Sequence, residues 1–153
     1  MKNTSFVLVK PEFANYPEVI DEIKRRFIEA GLEIVEESYV KYDREDGEAH
    51  YDEHKEKKFF GELVDYISSD KSYALIVRGE DVINVIRTLV CRDKQAGLQP
   101  GDIRYDIPQV LGQELDMTKN VVHASDKPES AEREIAIYRR AKAKETASQR
   151  GEA

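Results

Sequence analysis

Cysteine is nearly absent from this chain of 153 residues, which contains Cys91 and no other. A single cysteine excludes an internal disulfide and any cysteine-based metal cluster, and it agrees with a reducing compartment. We therefore expect a buried thiol without a chemical role at Cys91. Because the N-terminal segment also lacks the apolar core of a signal peptide, a cytoplasmic location is expected.

Long apolar runs and glycine-rich phosphate loops are missing as well. No apolar stretch approaches the roughly 20 residues that a membrane-spanning helix needs, so no membrane partner is expected. Neither G-x-x-x-x-G-K-S/T nor G-x-G-x-x-G occurs, so a nucleotide would have to bind by another route. The net charge of −7 argues against a specific nucleic-acid partner, although a locally basic cleft could still attract a polyphosphate.

The residues that are present predict one globular domain, since 40% of them are hydrophobic and 36% are charged. Apolar runs and alternating segments predict strands, and apolar residues at helical spacing predict helices. The strands are predicted at 6–9, 32–42, 73–77 and 120–123. Helices are predicted at 17–30 and 82–90, and one or two helices at 50–68. This order is typical of an α+β, ferredoxin-like βαββαβ fold, in which helices cover a four-stranded antiparallel sheet.

Three connecting segments lie outside these elements. Asp46-Gly47 predicts a turn after the second strand. The segment 92–119 is long for a compact domain, which suggests a functional loop or an oligomer contact. Residues 1–138 are expected to form the domain. Residues 139–153 carry five Lys or Arg against two Glu, which predicts a flexible basic tail that is either solubilising or a partner-binding arm.

His123 is the strongest candidate for chemistry in the sequence. It ends a short apolar run and precedes Ser125 and Asp126, which can cap the next helix. An imidazole at the rim of a sheet can act as a nucleophile if an acceptor holds its other nitrogen. A structural role for His123 remains open from its residues alone. The downstream carboxylates that could supply the acceptor are Glu129, Glu132 and Glu134.

Other candidates gain weight only if the fold brings them together. Lys10, Arg87 and Arg104 lie near predicted strand ends and loops, where each can bind phosphate or remain a solvated surface charge. Phe59 and Phe60 offer an aromatic face for a base, although at least one is expected in the core.

A metal site is a weaker alternative in the same part of the chain. His50 and His54 are four residues apart, so on a helix they share a face and could bind a metal ion. No third ligand is apparent at helical spacing.

The run NVVHASD at 120–126 resembles the active-site signature of nucleoside diphosphate kinases, N-x-x-H-G/A-S-D. The resemblance extends over most of the chain. It is carried by VKP at 9–11, HY at 50–51, FF at 59–60, the segment 79–87, PGDIR at 100–104 and ESAERE at 129–134. The resemblance implies the ferredoxin-like fold and a homo-oligomer, usually a tetramer or a hexamer.

The resemblance also implies a mechanism and a site. His123 would take the terminal phosphoryl group of ATP or another nucleoside triphosphate as a pros-phosphohistidine and pass it to a nucleoside diphosphate. Glu134 would orient His123 with support from Ser125, and Mg²⁺ would be held mainly by the nucleotide phosphates, without direct protein ligands. The phosphates and ribose would be surrounded by Lys10, Tyr51, Arg87, Arg104 and Asn120, and the base by Phe59 and Leu63.

This chain departs from the family pattern at three places. Asp93 replaces a threonine that contacts a phosphate, so Arg92 or Lys94 would have to compensate for the carboxylate. Arg104 and Asn120 stand farther apart than in relatives, because the loop at 107–119 is longer. The segment 12–16 also differs. These departures leave one alternative open, a nucleotide-binding regulatory protein of the same fold with weak or lost turnover.

Overall fold

The computed structural model describes residues 2–112 and 121–149. Its strands are β1 (Lys2–Val9), β2 (Glu33–Val40), β3 (Ser72–Glu80) and β4 (Val122–Ala124). Its helices are α1 (Pro11–Ala14), α2 (Pro17–Glu29), α3 (Arg44–His50), α4 (Phe60–Ile67), α5 (Val82–Val90), α6 (Ile103–Val110) and α7 (Pro128–Gln149), with a 3-10 turn at Asp52–His54. In these residues no helix has the length and apolar character that crossing a membrane requires.

The strands form an antiparallel sheet in the order β2-β3-β1-β4. β1 lies between β3 and β4, so Phe6 pairs with Ile76 and Leu8 pairs with His123. This is the predicted ferredoxin-like arrangement, and that prediction is confirmed.

Two apolar cores lie on opposite faces of the sheet because side chains alternate along a strand. Val7 and Val9 of β1 pack with residues of α2 and α5, whereas Phe6 and Leu8 pack with residues of α4 and α7. Residues 6–9 of β1 are therefore buried on both faces, which is why this part of the strand is a continuous apolar run.

The predicted turn at Asp46-Gly47 is wrong, because both residues belong to α3. Asp43 caps this helix: its carboxylate accepts the Asp46 N–H at 2.8 Å, and the Asp46 carboxylate accepts the Asp43 N–H at 3.1 Å. A Cβ atom on Gly47 would lie 2.9 Å from Ile67 Cγ2, so glycine serves here for close packing of α3 against α4.

The expectation of a flexible tail from 139 is corrected for 139–149, which continue α7. Tyr138 and Ala141 are buried on this helix. Lys144 Nζ donates to Asp43 Oδ2 at 2.9 Å and to Asp46 Oδ1 at 3.0 Å, and Lys142 Nζ donates to the Tyr39 carbonyl at 3.0 Å. The segment thus packs on β2 and α3. Residues 150–153 lie outside the described part of the chain.

Candidate active site

His123 lies in the middle of β4, on the edge of the sheet opposite β2. Val122 and Ala124 belong to the core that includes residues of α2 and α5. Because side chains alternate, His123 faces the other side of the sheet, toward α3 and α7. Its side chain keeps 22% exposure, so the imidazole is partly open to a ligand.

The residue before β4 has a strained backbone. Val121 is fully buried and has a φ of 72°, a left-handed conformation that β-branched residues rarely adopt. Its carbonyl accepts the Lys10 N–H at 2.8 Å. Such strain persists only where surrounding contacts hold it. This contact ties the end of β1, and with it Lys10, to the start of the strand that carries His123.

Glu134 of α7 lies beside the imidazole, with its Oε2 atom 2.9 Å from His123 Nε2. The two atoms lie within hydrogen-bonding distance, but Nε2 makes no aligned hydrogen bond in this arrangement. Ser125 Oγ donates to the other carboxylate oxygen at 2.7 Å, and burial raises the pKa of Glu134. The arrangement fits the predicted pairing of Glu134 and Ser125.

The electrostatic surroundings keep the imidazole neutral. Burial, reinforced by the nearby cations Lys10 and Arg104, lowers the pKa of His123 to about 3. A neutral imidazole retains a lone pair on one ring nitrogen. Since Nε2 faces Glu134, Nδ1 is the nitrogen suited to attack an electrophile.

Lys10 is the most buried of the predicted cations, with 4% exposure. Burial, with a smaller contribution from Arg104, lowers the pKa of its ammonium to about 7. Its Nζ atom lies 5.9 Å from the centre of the Tyr51 ring, which is also buried. The ammonium therefore stands close to losing its proton at neutral pH.

A cavity of about 570 Å³ opens beside His123. Its wall includes Tyr51, Arg87, Arg104, His123 and Glu134, so the fold brings these five predicted residues together. Arg104 is anchored by an Nη2 bond to the Val122 carbonyl at 2.9 Å, and burial lowers its pKa. The guanidinium groups of Arg87 and Arg104 share this wall with a neutral imidazole, so the cavity is suited to a phosphate-bearing ligand.

Asp93 does not line this cavity. Its carboxylate accepts the N–H groups of Gln95 at 2.9 Å and Ala96 at 3.3 Å, and so caps its own turn. Lys94 and Arg92 do lie on the cavity wall, although Arg92 also bonds to Asp102 at 2.9 Å. The Asp93 carboxylate thus turns away from the cavity, and the neighbouring basic residues Arg92 and Lys94 line the wall instead.

The two residues predicted to hold the base, Phe59 and Leu63, lie outside the wall of this cavity. Phe59, at the start of α4, is 45% exposed, and its ring centre lies 6.2 Å from that of His54. Leu63 is buried in the core on the α7 side. Neither belongs to the cavity wall. Asn120 and most of the loop at 107–119 lie outside the described residues.

His50 is an unpredicted neighbour of His123. Its ring centre lies 4.3 Å from that of His123, with the planes at 72°. Burial lowers the pKa of His50 well below its usual value. Among the described residues, the cluster that could hold a metal is His50 with His123 and Glu134. The shared helix assumed for His50 and His54 is wrong, because His50 ends α3 whereas His54 belongs to the separate 3-10 turn.

Sequence reasoning also missed two groups on the cavity wall. Cys91 is half-buried and lines the cavity, which corrects the expectation of a buried spectator thiol. His54 lines it too. Only the position of Cys91 directly after the helix that carries Arg87 could have signalled this placement.

Comparisons with known proteins agree with the geometry. A family model described as nucleoside diphosphate kinase matches residues 3–143. A nucleoside diphosphate kinase of Archaeoglobus fulgidus is 44% identical over 134 residues, which cover 88% of this chain and 84% of that protein. One of Methanocaldococcus jannaschii is 38% identical over 138 residues, covering 90% of this chain and 94% of that protein.

Solved structures show the same likeness. A halophilic nucleoside diphosphate kinase of Halobacterium salinarum in complex with CDP superposes with a TM-score of 0.77 at 31% identity, over 90% of this chain and 88% of that one. The nucleoside diphosphate kinase of Aquifex aeolicus gives a TM-score of 0.75 at 31% identity, over 90% of this chain and 94% of that one.

Proposed function

The chain belongs to the nucleoside diphosphate kinase family, it is a nucleoside diphosphate kinase, and from that premise we propose that His123 carries the transferred phosphoryl group. The observation that carries the proposal is a neutral imidazole beside Glu134, on a cavity wall shared with Arg87 and Arg104. A nucleophile and guanidinium groups around one cavity match what phosphoryl transfer requires, since this chemistry depends on positioning and charge neutralisation.

In the proposed mechanism, Nδ1 of His123 attacks the γ-phosphorus of a nucleoside triphosphate. The bond to the β,γ-bridging oxygen breaks, the nucleoside diphosphate leaves, and an N–P bond holds the phosphoryl group. A β-phosphate oxygen of a second nucleoside diphosphate then attacks this phosphorus and frees the histidine, which gives ping-pong kinetics. Glu134 stabilises the positive charge that develops on the ring and holds its orientation.

The basic residues share the task of neutralising the phosphates. Arg87 and Arg104 present planar donor groups to phosphate oxygens, and Lys10 adds a charge from the end of β1. Lys94 extends this set where Asp93 turns away. Phe59 stacks on the base from its exposed position, which would accept different bases because stacking reads no base edge. The H. salinarum relative is in complex with CDP, and we propose a nucleoside diphosphate acceptor here.

Kinases of this family need a divalent metal ion, and we propose that it is Mg²⁺. The cavity wall offers the separate carboxylates Glu53 and Asp126, and the described residues contain no cluster of three oxygen ligands there. This donor set fits an ion that enters on the nucleotide and keeps several waters, which Glu53 or Asp126 could contact. When bound, Mg²⁺ neutralises charge on the phosphate oxygens.

Incubation with γ-labelled ATP tests the role of His123. The wild-type protein should acquire an acid-labile, base-stable label that chases onto added GDP. His123→Ala should acquire none, whereas the matched variant His54→Gln should still be labelled, because it removes a histidine from the same cavity wall and keeps the nucleophile. Wild-type protein that binds ATP and never becomes labelled, or label retained in His123→Ala, would refute the proposal.

We also propose a homo-oligomer located in the cytoplasm. Ile28 on α2 and Val35 on the edge strand β2 are large apolar residues with 58% and 49% exposure. Covering an exposed strand edge is a common reason for association. The lone cysteine agrees with a reducing compartment. Light scattering at micromolar concentration should give a tetramer or hexamer mass, and a monomer mass would overturn the proposed assembly.

A further inference from the structure

His50 is a polar residue that is buried without an evident structural reason. It is 3% exposed, and neither of its ring nitrogens has a hydrogen-bond partner among the described residues. Buried polar groups are nearly always paired, so an unpaired one calls for an explanation. Its neighbours supply one, because His50 lies against His123 and also lines the cavity.

The unpaired imidazole belongs to a compact donor cluster. One ligand atom each from His50, His123 and Glu134 lies within 4.8 Å of the other two. Two imidazole nitrogens and one carboxylate oxygen are a donor set typical of Zn²⁺, with a fourth position left for water. We propose that His50, His123 and Glu134 bind a divalent cation of the Zn²⁺ class, and that the bound ion blocks the enzyme.

The charges around the cluster decide which ions it accepts. Arg133 Nη2 lies 3.8 Å from Glu134 Oε2, so an incoming cation shares the carboxylate with a guanidinium. Lys10 and Arg104 add further positive charge near His123. An ion that binds mainly through oxygen ligands is therefore bound only weakly by this cluster. Zn²⁺ and Cu²⁺ bind imidazole strongly, whereas Mg²⁺ prefers oxygen and sheds its water reluctantly. The site therefore discriminates against the ion that accompanies the nucleotide.

The cavity provides a path to the cluster, since all three residues lie on its wall. An ion in this position occupies a ring nitrogen of His123 and the Glu134 carboxylate that faces it. Binding at Nε2, the nitrogen that faces Glu134, requires the tautomer that carries its proton on Nδ1, so Nδ1 loses the lone pair that attacks phosphorus. Zn²⁺ binding is measured on the nucleotide-free protein. A failure to bind Zn²⁺ is therefore distinguishable from a failure of the role that we propose for His123 in phosphoryl transfer.

Calorimetric titration of the nucleotide-free protein with Zn²⁺ tests the site. One ion per chain should bind, and Co²⁺ in its place should give the visible bands of a nitrogen- and oxygen-ligated ion. His50→Leu removes an imidazole ligand and Glu134→Gln replaces a carboxylate by a weaker, neutral amide. Each should weaken Zn²⁺ binding at least about tenfold, since loss of a residue that merely supports a ligand already costs that much. His54→Gln is the matched control, because it removes the cavity histidine outside the cluster and should leave the Zn²⁺ affinity unchanged.

Inhibition gives a second readout. Zn²⁺ added before γ-labelled ATP should suppress labelling of the protein in excess Mg²⁺, and a chelator should restore it. Circular dichroism of His50→Leu establishes that the variant is folded, and Glu134→Gln gives an independent answer if it is not. Absence of one-to-one Zn²⁺ binding would overturn the proposal. So would an affinity that His54→Gln lowers while both cluster variants leave it unchanged.

Discussion

Nucleotide affinity should depend on pH through Lys10. Burial lowers the pKa of this ammonium to about 7 in the free protein, so at pH 8 about nine in ten molecules carry a neutral Lys10. A bound phosphate favours the charged form and raises the pKa again. Binding at alkaline pH must therefore take up a proton, and the affinity must fall as the pH rises.

The size of this effect follows from the shifted pKa. Between pH 7.5 and 9 the protonated fraction of a group with a pKa of about 7 falls roughly 20-fold, and the affinity for ADP should fall with it. The phosphates of ADP are already ionised across this range and do not mask the change. Titration calorimetry in two buffers of different ionisation enthalpy measures both the affinity and the protons taken up.

Two variants at the same position separate the charge from the shape of the side chain. Lys10→Arg keeps a charge at every pH in this range, so its ADP affinity should change little between pH 7.5 and 9. Lys10→Met should bind more weakly and without proton uptake. Either of two results would refute this expectation: the wild-type protein and Lys10→Arg show the same pH dependence, or the wild-type protein takes up no proton. In either case Lys10 does not gain a proton when ADP binds.

Three further measurements test the site and the packing around it. Glu134→Gln should lower kcat roughly 100-fold with little change in KM, because the amide keeps the shape but loses the charge that stabilises the developing imidazolium; an unchanged kcat would contradict this. Gly47→Ala should lower the free energy of unfolding, measured in urea titrations, by about 1–3 kcal/mol, because the new methyl lies 2.9 Å from Ile67 Cγ2. A variant as stable as the wild-type protein would show that α3 can move to make room for the methyl group. The pKa values of His50 and His123 are both lowered, so unfolding takes up protons and the free energy of unfolding falls as the pH drops below about 6.5. His50→Leu removes one of the two groups and should reduce the dependence of this free energy on pH by ~1.4 kcal/mol per pH unit. An unchanged pH dependence in the variant would refute this.

Much of the fold was predictable because local and long-range preferences coincide. The run at 6–9 is apolar on both faces, and the structure buries it between two cores. The helices at Pro17–Glu29 and Val82–Val90 each bury an apolar stripe. α6 was missed because Pro108 lies inside it and the surrounding segment is rich in turn residues, while its burial depends on Ile103 and Ile107 meeting the distant core.

The site was predictable only in part from the sequence. Spacing and motif indicate His123, Glu134 and the arginines, because these residues are recognised by type and position. The direction of a side chain is set by neighbours far along the chain. Asp93 turns toward Gln95 and Ala96. Such a choice between facing a cavity and capping a turn leaves no periodic signal in the sequence.

The last helix shows why composition alone misjudged 139–149. A segment with few large apolar residues predicts disorder when it stands by itself. Here Lys144 contacts Asp46, and Arg133 Nη1 donates to the Ala49 carbonyl at 2.7 Å, so α7 holds both ends of α3. α7 also carries Glu134. The helix that places Glu134 beside His123 thus also contacts the helix that ends at His50. The basic segment is held by the carboxylates of Asp43 and Asp46 at the start of α3, about a hundred residues earlier in the chain.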